Sequence, residues 1–383
     1  MNSKPHIAVV GAGAFGGWTA LHLLERGARV TLLDAWGPGN SRSSSGGETR
    51  IMRCTYGPDQ PYTALAARAL KLWRKYEKRW KRQLLHPSGV LWMVSSADDE
   101  YERGSLPVLR EERIKFQELS TAAMRKRWPQ INFSDVRWGI YEPECGYLDA
   151  RDSCQVVVDA FIDQGGLYRQ LAIVAGNLED APLRSLNLSD GSQLKADYYV
   201  FACGPWLGKL FPETLGQIIE PTQQDIFFFG PPAGDSRFTD AHLPVWGDHG
   251  KRFFYGIPGS DRRGFKMADD TRGSAFDPTD GERVVSPATL KRVREYMNYR
   301  FPAMKDAPLI ESRVCQYEQT PDSHFIVDRH PHMDNVWLLG GGSGHGFKHG
   351  PATGEILADA ILRDRQQDKA WRLDRFLKTI NRN

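Results

Sequence analysis

The stretch that decides the fold is Ile7-Ala8-Val9-Val10-Gly11-Ala12-Gly13-Ala14-Phe15-Gly16. Its first four residues are apolar and mostly β-branched, which predicts a buried strand, and the rest matches the pattern G-x-G-x-x-G. Residues 18–24 then predict a helix that stops at Gly27, and residues 29–33 predict a second strand that ends at Asp34. This order of strand, glycine turn, helix, strand and acid is typical of a dinucleotide-binding unit.

Each residue type in this unit has a physical reason to be there. The first glycine permits a tight turn, the second lets the backbone approach a pyrophosphate, and the third lets the helix pack close to the strand. The N-terminus of the helix offers unpaired N–H groups and partial positive charge, and the acid accepts hydrogen bonds from ribose hydroxyls. The predicted cofactor contacts of this unit are Gly11, Gly13, Ala14, Phe15, Gly16 and Asp34.

The alternative is a glycine-rich turn that binds no ligand. The complete strand, helix and acid context favours a dinucleotide over that alternative. The motif by itself does not distinguish FAD from NAD, although its position at the start of a long chain favours FAD.

Composition limits the class of protein. The chain has 383 residues, with 50 Lys plus Arg and 47 Asp plus Glu, and a formal net charge of +3. The length predicts two domains, or three, at roughly 100–200 residues per domain. A charge balance this close to neutral argues against a dedicated nucleic-acid binder, which carries a basic stripe. No apolar run approaches the roughly 18–20 residues that span a membrane.

Targeting and cysteine patterns predict a cytoplasmic protein. The apolar residues 7–10 run into glycines rather than a cleavage site, and residues 379–383 contain no peroxisomal tripeptide. The five cysteines are scattered, without a C-x-x-C or a zinc-binding spacing, so we expect reduced thiols and no metal. They are Cys54, Cys145, Cys154, Cys203 and Cys315.

The remaining pattern predicts an α/β protein of two domains. A Rossmann-like FAD-binding domain is assigned to residues 1–84, 146–217 and 313–383, and a second, mainly antiparallel-sheet substrate domain to residues 85–145 and 218–312. Periodicity predicts helices and strands along both domains. The helices are expected at 62–81, 121–128, 152–165, 286–300 and 354–362, and strands at 89–94, near 186, at 198–203 and at 336–339.

A second constellation lies in the last third of the chain. Arg313-Val314-Cys315-Gln316-Tyr317 precedes Thr320-Pro321-Asp322, and Gly344-His345-Gly346-Phe347-Lys348 follows. Together with the N-terminal motif, these residues resemble the D-amino-acid-oxidase-like flavoproteins. The resemblance is greatest to the monomeric sarcosine oxidase branch, which also holds N-methyltryptophan oxidase and the fructosyl-amine oxidases.

The resemblance implies how FAD is held. Cys315 matches the cysteine that forms a thioether to the flavin; the alternative is a buried free thiol. Residues 44–53 resemble the flavin-facing loop, which places Ser44 and Arg50 beside the cofactor. The turn 340–346 is implied to direct N–H groups at the flavin pyrimidine ring, where they stabilise the reduced anion. The cofactor residues added by the resemblance are Ser44, Arg50, Cys315, Gly344, Gly346, Phe347 and Lys348.

The resemblance also implies catalytic and substrate-binding residues. Arg53 and Lys348 match the pair that grips a substrate carboxylate, although surface charge is the alternative for both. Lys266 matches the lysine that activates dioxygen. Tyr255 and Tyr317 match tyrosines that line the substrate cavity. Arg50, Tyr255 and Lys266 are therefore catalytic candidates.

Two departures bear on the substrate. Sarcosine-oxidising relatives have a histidine where this chain has Gly46, and another where it has Asp269-Asp270. An acid beside the flavin favours a larger or more basic amine than sarcosine, which adds Asp270 to the catalytic candidates.

The resulting hypothesis is a monomeric FAD-dependent oxidase. It oxidises the C–N bond of a secondary amine or N-substituted amino acid to an imine and reduces O2 to H2O2. Three alternatives stay open: a flavin amine dehydrogenase with another electron acceptor, a cyclic imino-acid oxidase of a biosynthetic pathway, and a flavin-carrying subunit of a larger complex.

Overall fold

The computed structural model describes residues 4–174, 178, 182–259, 263–365 and 367–376. The targeting predictions for the first three residues and for residues 379–383 concern residues outside these ranges. The strands are β1 His6–Val10, β2 Arg29–Leu33, β3 Thr49–Met52, β4 Leu85–His86, β5 Val90–Val94, β6 Gln117–Ser120, β7 Trp138–Glu142, β8 Gly146–Asp149, β9 Leu167–Arg169, β10 Leu186–Asn187, β11 Gln193–Leu194, β12 Tyr198–Phe201, β13 Glu220–Phe229, β14 Val245–His249, β15 Phe253–Ile257, β16 Phe265–Asp269, β17 Leu309–Gln319, β18 Ile326–His330 and β19 Met333–Gly340. The helices are α1 Ala14–Glu25, α2 Gln60–Trp80, α3 Glu100–Glu111, α4 Thr121–Arg127, α5 Ala150–Asp163, α6 Leu207–Leu210, α7 Pro212–Leu215, α8 Pro287–Arg300 and α9 Gly350–Arg363.

A mostly parallel sheet carries the glycine turn. Its strand order is β18-β19-β12-β1-β2-β9, and only the edge pair β18 and β19 is antiparallel. Every residue of β1 is buried. Parallel strands are covered on both faces, so a continuous apolar run is expected there. The turns after β1, β12 and β19 meet at one edge of this sheet, which brings residues distant in sequence to one place.

A second sheet faces the site from the other part of the chain. Its order is β17-β13-β16-β15-β14-β5-β7-β6. The pairs are antiparallel, as predicted, except that β14 runs parallel to β5. The predicted domain boundary between residues 312 and 313 falls inside β17, which pairs with β13 along its length. Residues 313–319 therefore belong to this sheet, and the division into two domains stays a prediction.

A small sheet of β3, β8 and β4 was not predicted. These strands have four residues or fewer, too short to show a period. Helix α3 was also missed, because it contains Pro107.

The predicted helix ends agree with local chemistry. Gly27 follows Arg26, the C-cap residue of α1, and has a φ of +91°, a conformation that glycine adopts without strain. The Ser286 hydroxyl accepts a hydrogen bond from the Thr289 N–H and caps α8. None of the helices in the described ranges combines the length and apolar character that a bilayer crossing needs.

Candidate active site

One cavity of about 430 Å³ collects the predicted site residues. It is lined by the turns of the parallel sheet, by β15 and β16, and by the end of β17. Of the predicted residues, only Gly16 is absent from its lining. The predicted residues that line it are Gly11, Gly13, Ala14, Phe15, Asp34, Ser44, Arg50, Arg53, Tyr255, Lys266, Asp270, Cys315, Tyr317, Gly344, Gly346, Phe347 and Lys348.

The glycine turn has the geometry that its pattern requires. Gly11 has a φ of +103°, and a Cβ at this position would lie 2.3 Å from the Ala202 carbonyl oxygen. A Cβ on Gly16 would lie 1.8 Å from the Gly11 carbonyl oxygen. Gly16 thus acts as the third glycine of the motif: it sets the helix against the turn and does not face the cavity.

Asp34 holds the turns of this region together. Its carboxylate accepts hydrogen bonds from the N–H groups of Ala12 (2.7 Å), Trp36 (2.9 Å) and Gly37 (2.9 Å). Burial raises its pKa, and these bonds oppose the rise. A carboxylate has about four acceptor positions, so one remains for a ligand hydroxyl.

Two buried oxygens in the cavity wall have no partner within the described residues. They are Ser44 Oγ and Glu318 Oε2. A buried polar atom without a partner costs about 1–3 kcal/mol, so a polar ligand is expected beside each. Glu318 was not among the predicted residues. Its signal is a charged side chain on the buried face of β17, where it follows Val314 and Gln316 at alternate positions.

Cys315, Arg50 and Lys266 form a cluster at the end of the cavity nearest β16 and β17. Arg50 Nη2 lies 3.4 Å from Cys315 Sγ. Lys266 Nζ donates to the carbonyl oxygen of Thr49 at 3.0 Å. Burial first, and then the nearby Arg50 cation, lowers the pKa of Lys266 to about 7. The lysine is therefore a cation that loses its proton near neutral pH.

Arg53 and Lys348 place two cations in the same cavity. The Arg53 guanidinium stacks on Tyr56, 3.9 Å from the ring centroid, and lies 5.1 Å from the ring of Trp92. Lys348 Nζ donates to the His345 carbonyl oxygen at 2.8 Å. Burial and the Arg53 charge lower the pKa of Lys348. Neither cation has an ion-pair partner in the described part of the chain, so both can receive an anion.

Asp270 is the acid that faces these cations. It follows β16 directly, and its Oδ1 accepts a hydrogen bond from the Tyr317 hydroxyl at 2.7 Å. Burial raises its pKa to about 6, against the opposing effects of Tyr317 and Arg53. Asp269 points away from the cavity and pairs with Arg252 (3.2 Å) and Arg292. The alternation of the strand thus separates the two acids.

The absence of a histidine at position 46, where this chain has Gly46, has a steric basis. A Cβ at this position would lie 1.9 Å from the Asn40 carbonyl oxygen. The loop therefore leaves no room for a histidine side chain here.

The described residues contain one group with the geometry of a metal site. Cys54, Glu142 and Cys145 lie together and are buried. Glu142 already accepts bonds from the Cys54 N–H, the Thr55 hydroxyl and the Trp92 indole, at 2.7 to 3.1 Å. The carboxylate thus has a structural role in joining β7 to the loop after β3.

Comparisons with known proteins agree with this geometry. The family model described as DAO, FAD dependent oxidoreductase, matches residues 6–360. Monomeric sarcosine oxidase of Bacillus sp. (strain B-0618) is 28% identical over 378 residues, which cover 94% of this chain and 93% of that protein. N-methyl-L-tryptophan oxidase of Salmonella dublin is 24% identical over 366 residues, which cover 94% and 95%.

A solved structure shows the same fold. L-proline dehydrogenase from P. horikoshii superposes with a TM-score of 0.86 at 19% identity, over 99% of both chains. At this identity the likeness shows the fold alone. The fold class and the family resemblance drawn from the motifs are both confirmed.

Proposed function

The chain belongs to the DAO family of FAD dependent oxidoreductases, and we propose that it is an oxidase of secondary amines or N-substituted amino acids that carry a carboxylate. The overall reaction converts the amine and O2 to an imine and H2O2. Two electrons and two protons leave the C–H and N–H bonds and are taken up by the oxygen. Water then hydrolyses the imine.

The observation that carries this proposal is the pair of cations in the cavity. Arg53 and Lys348 are oriented by Tyr56 and the His345 carbonyl, and neither is neutralised by a described carboxylate. A guanidinium and an ammonium bind a carboxylate through charge-assisted hydrogen bonds. Fixing the carboxylate also fixes the adjacent C–H bond, which lowers the entropy lost on reaching the transition state.

The cavity suits FAD by its own chemistry. The missing side chain at Gly11 lets the turn pack against the Ala202 carbonyl oxygen. Ser44 and Glu318 each leave a buried oxygen for a polar group. The glycine-turn residues, Asp34 and Ser44 would hold the cofactor. Cys315 would attach it as a thioether, in which Sγ would replace a hydrogen of a ring methyl group, and O2 would take up the two electrons and two protons released from the S–H and C–H bonds. FAD, when bound, supplies a two-electron acceptor for the C–H bond next to the nitrogen.

Asp270 and Lys266 have separate proposed tasks. Only a neutral amine can be oxidised, and Asp270 is ionised above its pKa of about 6, so it can hold a proton lost by the substrate ammonium. Lys266, in its protonated form, supplies positive charge where negative charge develops on oxygen. All of the proposed residues come from one chain, which supports an enzyme over a carrier subunit.

Replacing Arg53 tests the carboxylate grip. We expect Arg53→Met to lower kcat/KM for an N-methyl amino acid by about 100-fold, because a charge-assisted pair is lost. The kcat/KM for the corresponding amide, which has no carboxylate, should change by less than about threefold. The matched control is Arg74→Met, since Arg74 pairs with Glu144 at the surface. Equal losses for acid and amide would remove the carboxylate from the proposal.

Replacing Lys266 tests the oxidase step. In stopped-flow experiments we expect Lys266→Met to slow reoxidation by O2 by about 100-fold and reduction by less than about threefold. The unsubstituted protein should yield one H2O2 per amine oxidised. Turnover without peroxide, or an equal loss in both half-reactions, would favour the dehydrogenase alternative.

A further inference from the structure

We propose that Glu318 is a binding residue for FAD, and that its free carboxylate oxygen accepts a hydrogen bond from a hydroxyl group of the cofactor's polyol chain. This inference rests on the family's use of FAD and not on the amine chemistry proposed above.

The side chain is half satisfied. Glu318 is 7% exposed. Its Oε1 accepts a hydrogen bond from the Gly342 N–H at 3.1 Å, whereas Oε2 has no partner among the described residues. A residue that only braced the turn after β19 would need one oxygen and would leave the other buried at a cost of about 1–3 kcal/mol.

The unpaired oxygen lies beside the cavity wall. Gly204 and Gly342 line the same cavity as Glu318. A Cβ on Gly204 would lie 3.7 Å from Oε2, and Oε2 is the only atom outside the adjacent residues that it would meet within 4 Å. The missing side chain at Gly204 therefore leaves space on the cavity side of the carboxylate, where a ligand atom can approach.

The position of Glu318 matches one part of FAD. On one side is the glycine turn. Gly11 packs against the Ala202 carbonyl, and Ala202 lies two residues before Gly204, which neighbours Glu318. On the other side, three residues back along β17, is Cys315, the predicted site of ring attachment. In FAD the polyol chain joins the phosphates to the ring, so a group between these two places meets its hydroxyls.

The charge of the ligand decides between hydroxyl and phosphate. An ionised carboxylate accepts a bond from a hydroxyl and repels a phosphate. Burial raises the pKa of Glu318 to about 7, and the N–H groups of Gly342 and Gly341 oppose this rise. A hydroxyl donor favours the ionised form and lowers this pKa, whereas a phosphate favours the protonated form.

The test measures flavin affinity in the full chain. Cys315→Ala is the background, so that binding is reversible, and Glu318→Gln is compared with Glu311→Gln, the other glutamate of β17. Dissociation constants for FAD, riboflavin and lumiflavin come from flavin fluorescence at pH 6 to pH 8.5, and the melting temperature of each apoprotein reports folding. Riboflavin has the polyol but no phosphate, and lumiflavin has neither.

We expect Glu318→Gln to weaken FAD and riboflavin by about tenfold above pH 7, because a charge-assisted bond becomes a neutral one, and to leave lumiflavin unchanged. A loss for FAD alone would assign the bond to the adenosine ribose instead of the polyol. Tighter FAD binding in the variant would identify a phosphate neighbour, and unchanged affinity would identify a structural brace; both results overturn the proposal. If Glu318→Gln does not fold, the pH dependence of riboflavin relative to lumiflavin in the background protein decides the matter.

Discussion

At the scale of single residues, the cysteines show how environment separates identical side chains. Cys203 and Cys315 both line the cavity. Burial raises the pKa of the Cys203 thiol. Cys315 Sγ lies 3.4 Å from Arg50 Nη2, whereas the Cys203 thiol is directed at the carbonyl oxygen of Val10. Covalent attachment needs a nucleophilic sulfur, so we expect it at Cys315 and not at Cys203.

This difference gives a direct prediction. In the acid-precipitated protein the yellow colour should stay in the pellet, Cys315→Ala should release it to the supernatant, and Cys203→Ala should not. The measurement is the visible absorbance of both fractions. Release of all colour from the unsubstituted protein would show that no thioether has formed.

At the scale of elements, the first turn of α1 depends on two adjacent glycines in different ways. A Cβ on Gly16 would meet the Gly11 carbonyl at 1.8 Å, but a Cβ on Gly17 would meet Val157 at 3.4 Å, an ordinary contact. Both residues are buried in the same helix. The turn therefore tolerates a methyl group at one position and not at the next.

We expect Gly16→Ala to lower the flavin content of the purified protein severely and to destabilise it by roughly 2 kcal/mol or more, because the helix must move away from the turn. Gly17→Ala, the control in the same helix, should lie within about 1 kcal/mol of the unsubstituted protein, since alanine is the better helix former. Flavin content and urea unfolding measure both effects. A Gly16→Ala variant with full flavin content would show that the close packing is dispensable.

Elements also explain which site residues could be predicted. The glycine turn is a local pattern, so its geometry follows from adjacent residues. The choice between Asp269 and Asp270 depends on which face of β16 meets the cavity, and Arg252 and Arg292 draw Asp269 to the other face. The short strands of the small sheet depend on partners far away in sequence, as Arg50 pairs with Leu148.

At the scale of the whole molecule, the site lies where the two large sheets meet. Its residues come from segments that are far apart in the sequence. Arg53 lies in the loop after β3 and Lys348 lies before α9. Lys266 lies near the start of β16 in the second sheet, and Asp270 directly follows that strand. Bringing charges together in this way desolvates them. Buried lysines with lowered pKa values are a cost of folding that the site requires.

This cost has a measurable sign. The pKa of Lys266 is about 7 in the folded chain and 10.5 ordinarily, so between these values only the unfolded chain binds the proton. Raising the pH from 7 to 9 therefore stabilises the unsubstituted protein relative to Lys266→Met, by about 1 kcal/mol per pH unit. We expect Lys266→Met to be the more stable protein at pH 7 and its advantage to shrink by about 2 kcal/mol by pH 9, because the difference vanishes only above the ordinary pKa of 10.5.

The measurement is urea unfolding at pH 7, 8 and 9. Lys209→Met is the control, because Lys209 is exposed and pairs with Asp277 at the surface. A constant difference between Lys266→Met and the unsubstituted protein across this range would show that Lys266 keeps its ordinary pKa.

The sequence by itself determined the family, the nucleotide-binding unit and a set of site residues. All of those residues except Gly16 line the cavity. Those signals lie in contiguous motifs, where glycine placement and strand periodicity act over a few residues. Only the tertiary structure decided that Asp270 and not Asp269 faces the cavity, that Arg53 and Lys348 stand without a described counter-ion, and that Glu318 has a free buried oxygen. Burial and pairing depend on which distant segments meet, and a single stretch of sequence does not contain that information.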